Sequence, residues 1–137
     1  MDEIVIDNSI IMAWCFEDEA NEYVDFILQS LEHSTALVPS IWPLEFTNVL
    51  LVAKRRNRIS EAKISRIKSL ILGLPIRIEY EIKERVMNEI FFLAKEHNLS
   101  TYDASYLDLA MKYGIPLATQ DKALINAAKA TKTHLFK

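Results

Sequence analysis

The stretch Ile4-Val5-Ile6-Asp7-Asn8-Ser9-Ile10-Ile11 decides how the rest of the chain is read. Three consecutive branched apolar residues mark a short strand buried on both faces, and the run stops at Asp7. Asp7 or Asn8 then suits the cap of a short helix carrying Ile10, Ile11 and Trp14. The same strand-then-helix alternation recurs outward from there. A helix from about residue 19 to 32 sets Tyr23, Phe26, Ile27 and Leu31 on one face. Ala36-Leu37-Val38 is a second strand, stopped by Pro39, and a helix from about 42 to 56 carries Pro43 near its first turn, where proline is tolerated. Ser60 opens another helix that ends by Leu72, with Gly73 as its stop and Pro75 beyond. Ile76 and Ile78 alternate with Arg77 and Glu79 as a short edge strand. A helix over about 81–97 spaces Ile82, Val86, Ile90, Leu93 and Ala94 helically. The next, from Ser100 or Thr101 to Gly114, carries Tyr102, Tyr106, Leu109, Ala110 and Tyr113. Ile115–Ala118 is a strand, a helix follows from Asp121 to about Ala130, and His134-Leu135-Phe136 reads as a last strand. This alternation predicts an α/β fold with a central, mostly parallel sheet flanked by helices. No linker, repeat or low-complexity stretch interrupts residues 1–137, which read as one domain.

The bulk numbers agree. A chain of 137 residues, 50% hydrophobic and 26% charged, is ordinary for a globular protein and too apolar for disorder. Only Gly73 and Gly114 are glycine, so the clustered glycines of a P-loop or a dinucleotide-binding turn are missing. The longest stretch free of Asp, Glu, Lys and Arg is the twelve residues His33–Leu44, short of the ~20 that a membrane-spanning helix needs. No basic leader precedes an apolar run at Met1-Asp2-Glu3, so no secretory signal is expected, and the single Cys15 suits a reducing cytoplasm.

Charge is unevenly divided. Residues 1–53 hold ten acids and no Lys or Arg; residues 54–137 hold sixteen basic residues against nine acids. Seven of the basic residues (Lys54, Arg55, Arg56, Arg58, Lys63, Arg66, Lys68) fall within fifteen positions, opposed only by Glu61. Such a run is either a solvated helical face or a footprint for a polyanion.

Four acids stand out by position. Ligands of open α/β sheets bind beyond the carboxyl ends of the strands, where Asp7 and Asp121 fall. Glu45 and Asp103 lie early in helices. Each has a plain structural use: Asp7 and Asp121 as N-caps, Asp103 in a capping box with Ser100, Glu45 against its helix dipole. Four carboxylates in one pocket would repel unless a cation neutralised them. Oxygen ligands without paired Cys or His favour Mg²⁺ or Mn²⁺ over zinc; His33, His97 and His134 are scattered.

These stretches resemble PIN-domain nucleases. Ile4–Ser9 is similar to the opening strand–Asp–x–Ser motif, and Pro43-Leu44-Glu45-Phe46-Thr47-Asn48-Val49-Leu50 to the second motif. Thr101-Tyr102-Asp103-Ala104-Ser105-Tyr106-Leu107-Asp108-Leu109-Ala110 resembles the third, and Pro116–Leu124 the fourth. The likeness runs from Ile4 to about Phe136 and leans toward the VapC-type toxins of toxin–antitoxin pairs.

The resemblance implies a metal-dependent endoribonuclease, with transfer RNA as a plausible substrate, a small antitoxin as partner, and a homodimer. Asp7 and Asp103 are then the first choice as Mg²⁺ or Mn²⁺ ligands, with Glu45 and Asp121 completing the site and Glu45 or Asp103 assisting the attacking water. Ser9, Asn48 and Thr119 are neutral neighbours suited to holding carboxylates or meeting phosphate, or to plain capping; Asn8 reads as a cap. Asp108, five residues past Asp103, points elsewhere. Lys54, Arg55, Arg56 and Arg58 are the candidates for contact with RNA backbone. Trp14, Phe16, Trp42 and Phe46 suggest docking surfaces for a partner, although large aromatics on periodic helices are more often core. Two rivals stand beside this reading: a PIN-like module that binds RNA or protein without cutting, and an aspartyl phosphotransfer domain. The second is weakened because Asp7-Asn8-Ser9 lacks the second Asp of an Asp-x-Asp signature.

Overall fold

The computed structural model describes residues Asp2–Lys137. Its sheet has four strands, β1 (Asp2–Ile6), β2 (Ser34–Pro39), β3 (Ile76–Glu79) and β4 (Leu117–Ala118), in the order β3-β2-β1-β4, all parallel. The register pairs Val5 with Leu37 on one side and with Leu117 on the other. Ile4, Val5 and Ile6 are consequently enclosed on both faces, which is why their run is continuous rather than alternating.

Seven of the helices are α1 (Asn8–Cys15), α2 (Glu22–Ser30), α3 (Trp42–Arg55), α4 (Glu61–Leu72), α5 (Lys83–Arg85), α6 (Phe91–His97) and α7 (Thr101–Tyr113). The last, α8 (Lys122–Ala130), follows β4. Helix α7 lies against β1 and β2 with Ala104, Tyr106, Leu107 and Ala110 buried. It ends at Gly114, whose φ of 63° is the left-handed geometry that glycine adopts without steric cost.

Four expectations are corrected. The helix read from residue 19 begins at Glu22, because Asn21 stays extended and its side chain accepts from the Val24 N–H at 2.9 Å, leaving Glu17–Glu19 as a 3₁₀ turn. Within that helix Val24, Ile27 and Leu31 are buried, whereas Phe26 is exposed and stacks on Phe136. The segment 83–97 is helical but contains a π turn at Val86–Ile90. The wider turn shifts the phase of the apolar stripe, so Ile90, Leu93 and Ala94 are buried while Val86 faces outward; Ile82 is exposed because it lies in extended backbone just before the helix. His134-Leu135-Phe136 makes one parallel bridge, Leu117 with Leu135, rather than a strand.

On α7 the same contrast separates Tyr106, which is buried, from Tyr102 and Tyr113, which are exposed. Asp108 does turn away from the other acids: it is buried and takes a two-pronged bond from Arg85, Nε to Oδ2 at 2.7 Å and Nη2 to Oδ1 at 2.8 Å. No described helix is long and apolar enough to cross a membrane.

Candidate active site

Four elements deliver the four acids to one cleft of about 620 Å³, lined by Asp7, Glu45, Asp103 and Asp121 together. Asp7 follows β1 and caps α1, and Asp121 caps α8, its Oδ1 accepting from the Leu124 N–H at 2.9 Å. Capping and lining the cleft are therefore not alternatives for these two residues. A cap holds a carboxylate at the carboxyl edge of a parallel sheet, where the cleft opens. Glu45 stands in the first turn of α3, and Asp103 in the first turn of α7, where Ser100 Oγ accepts from the Asp103 N–H at 3.0 Å.

Asp7 is buried, and three hydrogen bonds from the protein hold its carboxylate, leaving acceptor capacity on Oδ2. Oδ1 accepts from Ser9 Oγ at 2.6 Å and from the Ile10 N–H at 3.3 Å; Oδ2 accepts from Thr119 Oγ1. Thr119 Oγ1 in turn accepts from the Asp121 N–H at 3.0 Å, linking the ends of β1 and β4. Ser9 and Thr119 thus hold the carboxylate, while Asn48 lines the cleft without bonding any of the four acids. Asn8 also lines the cleft, and its Oδ1 accepts from Trp42 Nε1 at 3.1 Å, tying α1 to the start of α3.

The electrostatics run one way. Burial pushes the Asp7 carboxyl above its usual range, the Ser9, Thr119 and Ile10 donors pull it back, and the Asp103 charge pushes it up again. Burial raises Glu45 as well, opposed by a hydrogen bond from Tyr106 and assisted by the Asp103 and Asp7 charges. Asp103 is raised by burial and by Asp121, with Ser100 lowering it. For all three of these acids, repulsion from a sister carboxylate adds to the rise, the field that a bound cation would relieve.

No three described His, Cys, Asp or Glu side chains are arranged to enclose an ion unaided. The donor chemistry nevertheless fits a hard divalent cation. All four groups are oxygen donors, and Mg²⁺ is commonly held by one or two carboxylates with water and substrate phosphate supplying the rest.

Tyr106 is the site residue that the sequence reading passed over. It is almost fully enclosed, and its hydroxyl donates to Glu45 Oε1 at 2.7 Å; burial first, and then this bond to a carboxylate, drive the phenol's own pKa far up. It lies one turn beyond Asp103 on α7, so both face the cleft. That i,i+3 spacing was the available signal, but a tyrosine at a core-facing position reads as packing.

The basic segment divides. Arg56 and Arg58 line the acidic cleft; Lys54 lies in a separate groove between α3 and α4, 3.9 Å from Glu61, and Arg55 lines neither. The suggested docking aromatics are mostly core. Phe16, Trp42 and Phe46 are buried, the last two with ring centroids 5.5 Å apart, and half-buried Trp14 donates its Nε1–H to the Val24 carbonyl at 2.7 Å.

A parallel α/β sheet with acids from separate elements meeting at its carboxyl edge agrees with the class that the sequence motifs resemble. The chain belongs to the PIN domain family, which it matches over residues 4–130. Among individual proteins it is similar to Ribonuclease VapC3 of Pyrobaculum aerophilum, 26% identical over 131 residues that cover 96% of this chain and 98% of the relative. It also resembles the crystal structure of PAE2754 from Pyrobaculum aerophilum, with a TM-score of 0.71 at 25% identity, covering 98% of this chain and 88% of that one.

Proposed function

We propose that the protein is a divalent-metal-dependent endoribonuclease, the toxin of a toxin–antitoxin pair, hydrolysing phosphodiester bonds in RNA. The observation that carries this reading is the convergence of Asp7, Glu45, Asp103 and Asp121, from four separate elements, on one cleft. Membership of the PIN family and the similarity to a ribonuclease support it.

In this reading Asp7 and Asp103 hold Mg²⁺ or Mn²⁺ directly, and Glu45 and Asp121 act through water. When bound, the ion supplies charge neutralisation, activation of water and stabilisation of the leaving oxygen. The chain's own residues do the rest. Ser9 and Thr119 fix the Asp7 carboxylate in one orientation. Glu45, with Oε1 bonded to Tyr106, offers Oε2 to take the proton of the attacking water as it adds to phosphorus. Cleavage falls in an unpaired loop of a structured RNA such as transfer RNA. The cognate antitoxin and a second copy of the chain are the protein partners.

The test is incubation of purified, antitoxin-free protein with a small-RNA pool in Mg²⁺, in Mn²⁺ and in EDTA. Discrete products in either metal and none in EDTA are expected. Intact RNA in both metals, from folded protein, refutes the nuclease reading and favours a module that only binds.

A further inference from the structure

The cleft is longer than the cluster of acids, and what lies beyond them has its own chemistry. Along α3 the lining residues are Glu45, then Asn48 and Val49, then Val52 and Ala53, and finally Arg56 just past the helix end. These spacings of three, four, seven, eight and eleven trace one face of a helix. At 1.5 Å per residue, Glu45 and Arg56 stand about 16 Å apart along the axis. Between them Val49 and Val52, with Met12 and Phe16 from the α1 side, give the cleft an apolar middle.

The far end is built by the way α3 stops. Asn57 takes a left-handed φ of 57°, the Arg58 N–H donates to the Ala53 carbonyl at 2.8 Å, and the Asn57 N–H to the Lys54 carbonyl at 3.0 Å. This pair of bonds is a Schellman cap, and it turns the chain so that Arg58 lines the same cleft as Arg56. The cap uses main-chain groups only, so it consumes neither guanidinium. Among the described residues neither arginine is ion-paired, although Arg77, Arg85 and Lys54 all are. Asp18 and Glu19 also line the cleft, so a phosphate entering it depends on these two cations.

We infer that Arg56 and Arg58 form a second phosphate subsite, at the end of the cleft about 16 Å along the α3 axis from Glu45, that holds the backbone of an unpaired RNA strand three to five nucleotides from the cut. The apolar middle of the cleft receives the intervening bases. At a rise of ~3.4 Å per nucleotide for a stacked strand, the distance is close to five steps, and fewer for an extended one. A duplex cannot follow this path, because its bases face each other and leave nothing for the apolar walls. This inference rests on the ribonuclease reading and adds to it a minimum substrate length and a place where that length is measured.

The experiment is fluorescence-anisotropy binding in EDTA, where no turnover is needed, using single-stranded RNA oligomers graded from two to ten nucleotides. The protein is compared with Arg56→Gln/Arg58→Gln and with Lys54→Gln/Arg55→Gln, each confirmed folded by circular dichroism. Wild type is expected to gain at least about tenfold in affinity as length passes four or five nucleotides. The first double variant should lose that gain and keep its affinity for the shortest oligomers. Its salt slope on long oligomers should fall by roughly 0.7 for each phosphate contact removed. The Lys54/Arg55 variant should behave as wild type. A length step that survives in the Arg56/Arg58 variant, or that is lost instead from the Lys54/Arg55 variant, overturns the subsite. Metal-dependent cleavage alongside such a result leaves the nuclease reading standing, whereas failure of wild type to bind or cut RNA of any length overturns both.

Discussion

Replacing Tyr106 by Phe removes one oxygen from the site and leaves the ring in place. The ring is almost fully enclosed, so no cavity large enough to matter is created, and the loss is confined to the 2.7 Å bond to Glu45 Oε1. A hydrogen bond to a charged group contributes about 1.5–3 kcal/mol. Glu45 is only half-buried and can turn to water, so the lower end applies, about 1.5 kcal/mol of stability and a fall of roughly 3–6 °C in Tm. The larger effect falls on chemistry. The Tyr106 donor is the one interaction pulling the Glu45 carboxyl down, against burial and the Asp103 and Asp7 charges. Without it the Glu45 pKa rises, so in the proposed role of Glu45 as base the ionised form is lost at a higher pH, and the acid limb of the rate profile moves up. An unanchored carboxylate should also lower kcat by about tenfold, equivalent to about 1.4 kcal/mol, with KM little changed. The assay is kcat and KM across pH for Tyr106→Phe, Glu45→Gln and the double variant. Tyr106→Phe should cost less than about twofold once Glu45 is already Gln. An unmoved acid limb, or losses that multiply in the double variant, would refute the idea that Tyr106 acts through Glu45.

Two further predictions concern stability. Because the native Asp7 carboxyl titrates above its ordinary 3.8, the folded state holds more protons than the unfolded one between the two values, and stability falls as pH rises through that window. The penalty is absent below the unfolded value and fully present above the folded one. Asp7→Asn should therefore gain on wild type, in EDTA, as urea unfolding is followed from acid pH to neutrality; a gap that does not change with pH contradicts the assignment. Arg85→Met strands the buried Asp108 carboxylate and should cost about 3 kcal/mol, the low end for a broken buried pair because 29% of the Arg85 side chain is exposed. Arg85→Met/Asp108→Leu should restore most of that in the same assay, and a single-variant loss under about 1 kcal/mol would mean the pair behaves as a surface bridge.

Local signals carried most of the fold. The Ile4–Ile6 run, Pro39, the Ser60 and Ser100 caps and the Gly114 stop each act within a few residues, and each is legible in the sequence. So were the four acids, because a strand end or a first helical turn is itself a local feature. What escaped was set by contacts between distant parts of the chain. Tyr106 meets Glu45 across 61 positions, and Asp108 meets Arg85 across 23. Neither pairing leaves a mark on the local pattern of polar and apolar residues. The π turn at Val86–Ile90 is similarly invisible, since Ile82, Val86, Ile90 and Leu93 keep an intact helical spacing in sequence. The basic run looked uniform from 54 to 58, yet the face of α3 that carries Glu45 brings Arg56 to the cleft, the left-handed turn at Asn57 returns Arg58 to it, and Lys54 meets Glu61.

Asp7, Glu45, Asp103 and Asp121 are proposed to work together as one metal-dependent nuclease site. Single-turnover cleavage of one mapped RNA substrate in Mg²⁺, by wild type, Asp7→Asn and Asp103→Asn of verified fold, tests it most directly. Both variants should lose at least about a hundredfold, equivalent to about 2.7 kcal/mol, while binding the RNA in EDTA no more weakly than wild type. Cleavage by either variant at the wild-type rate would contradict the account.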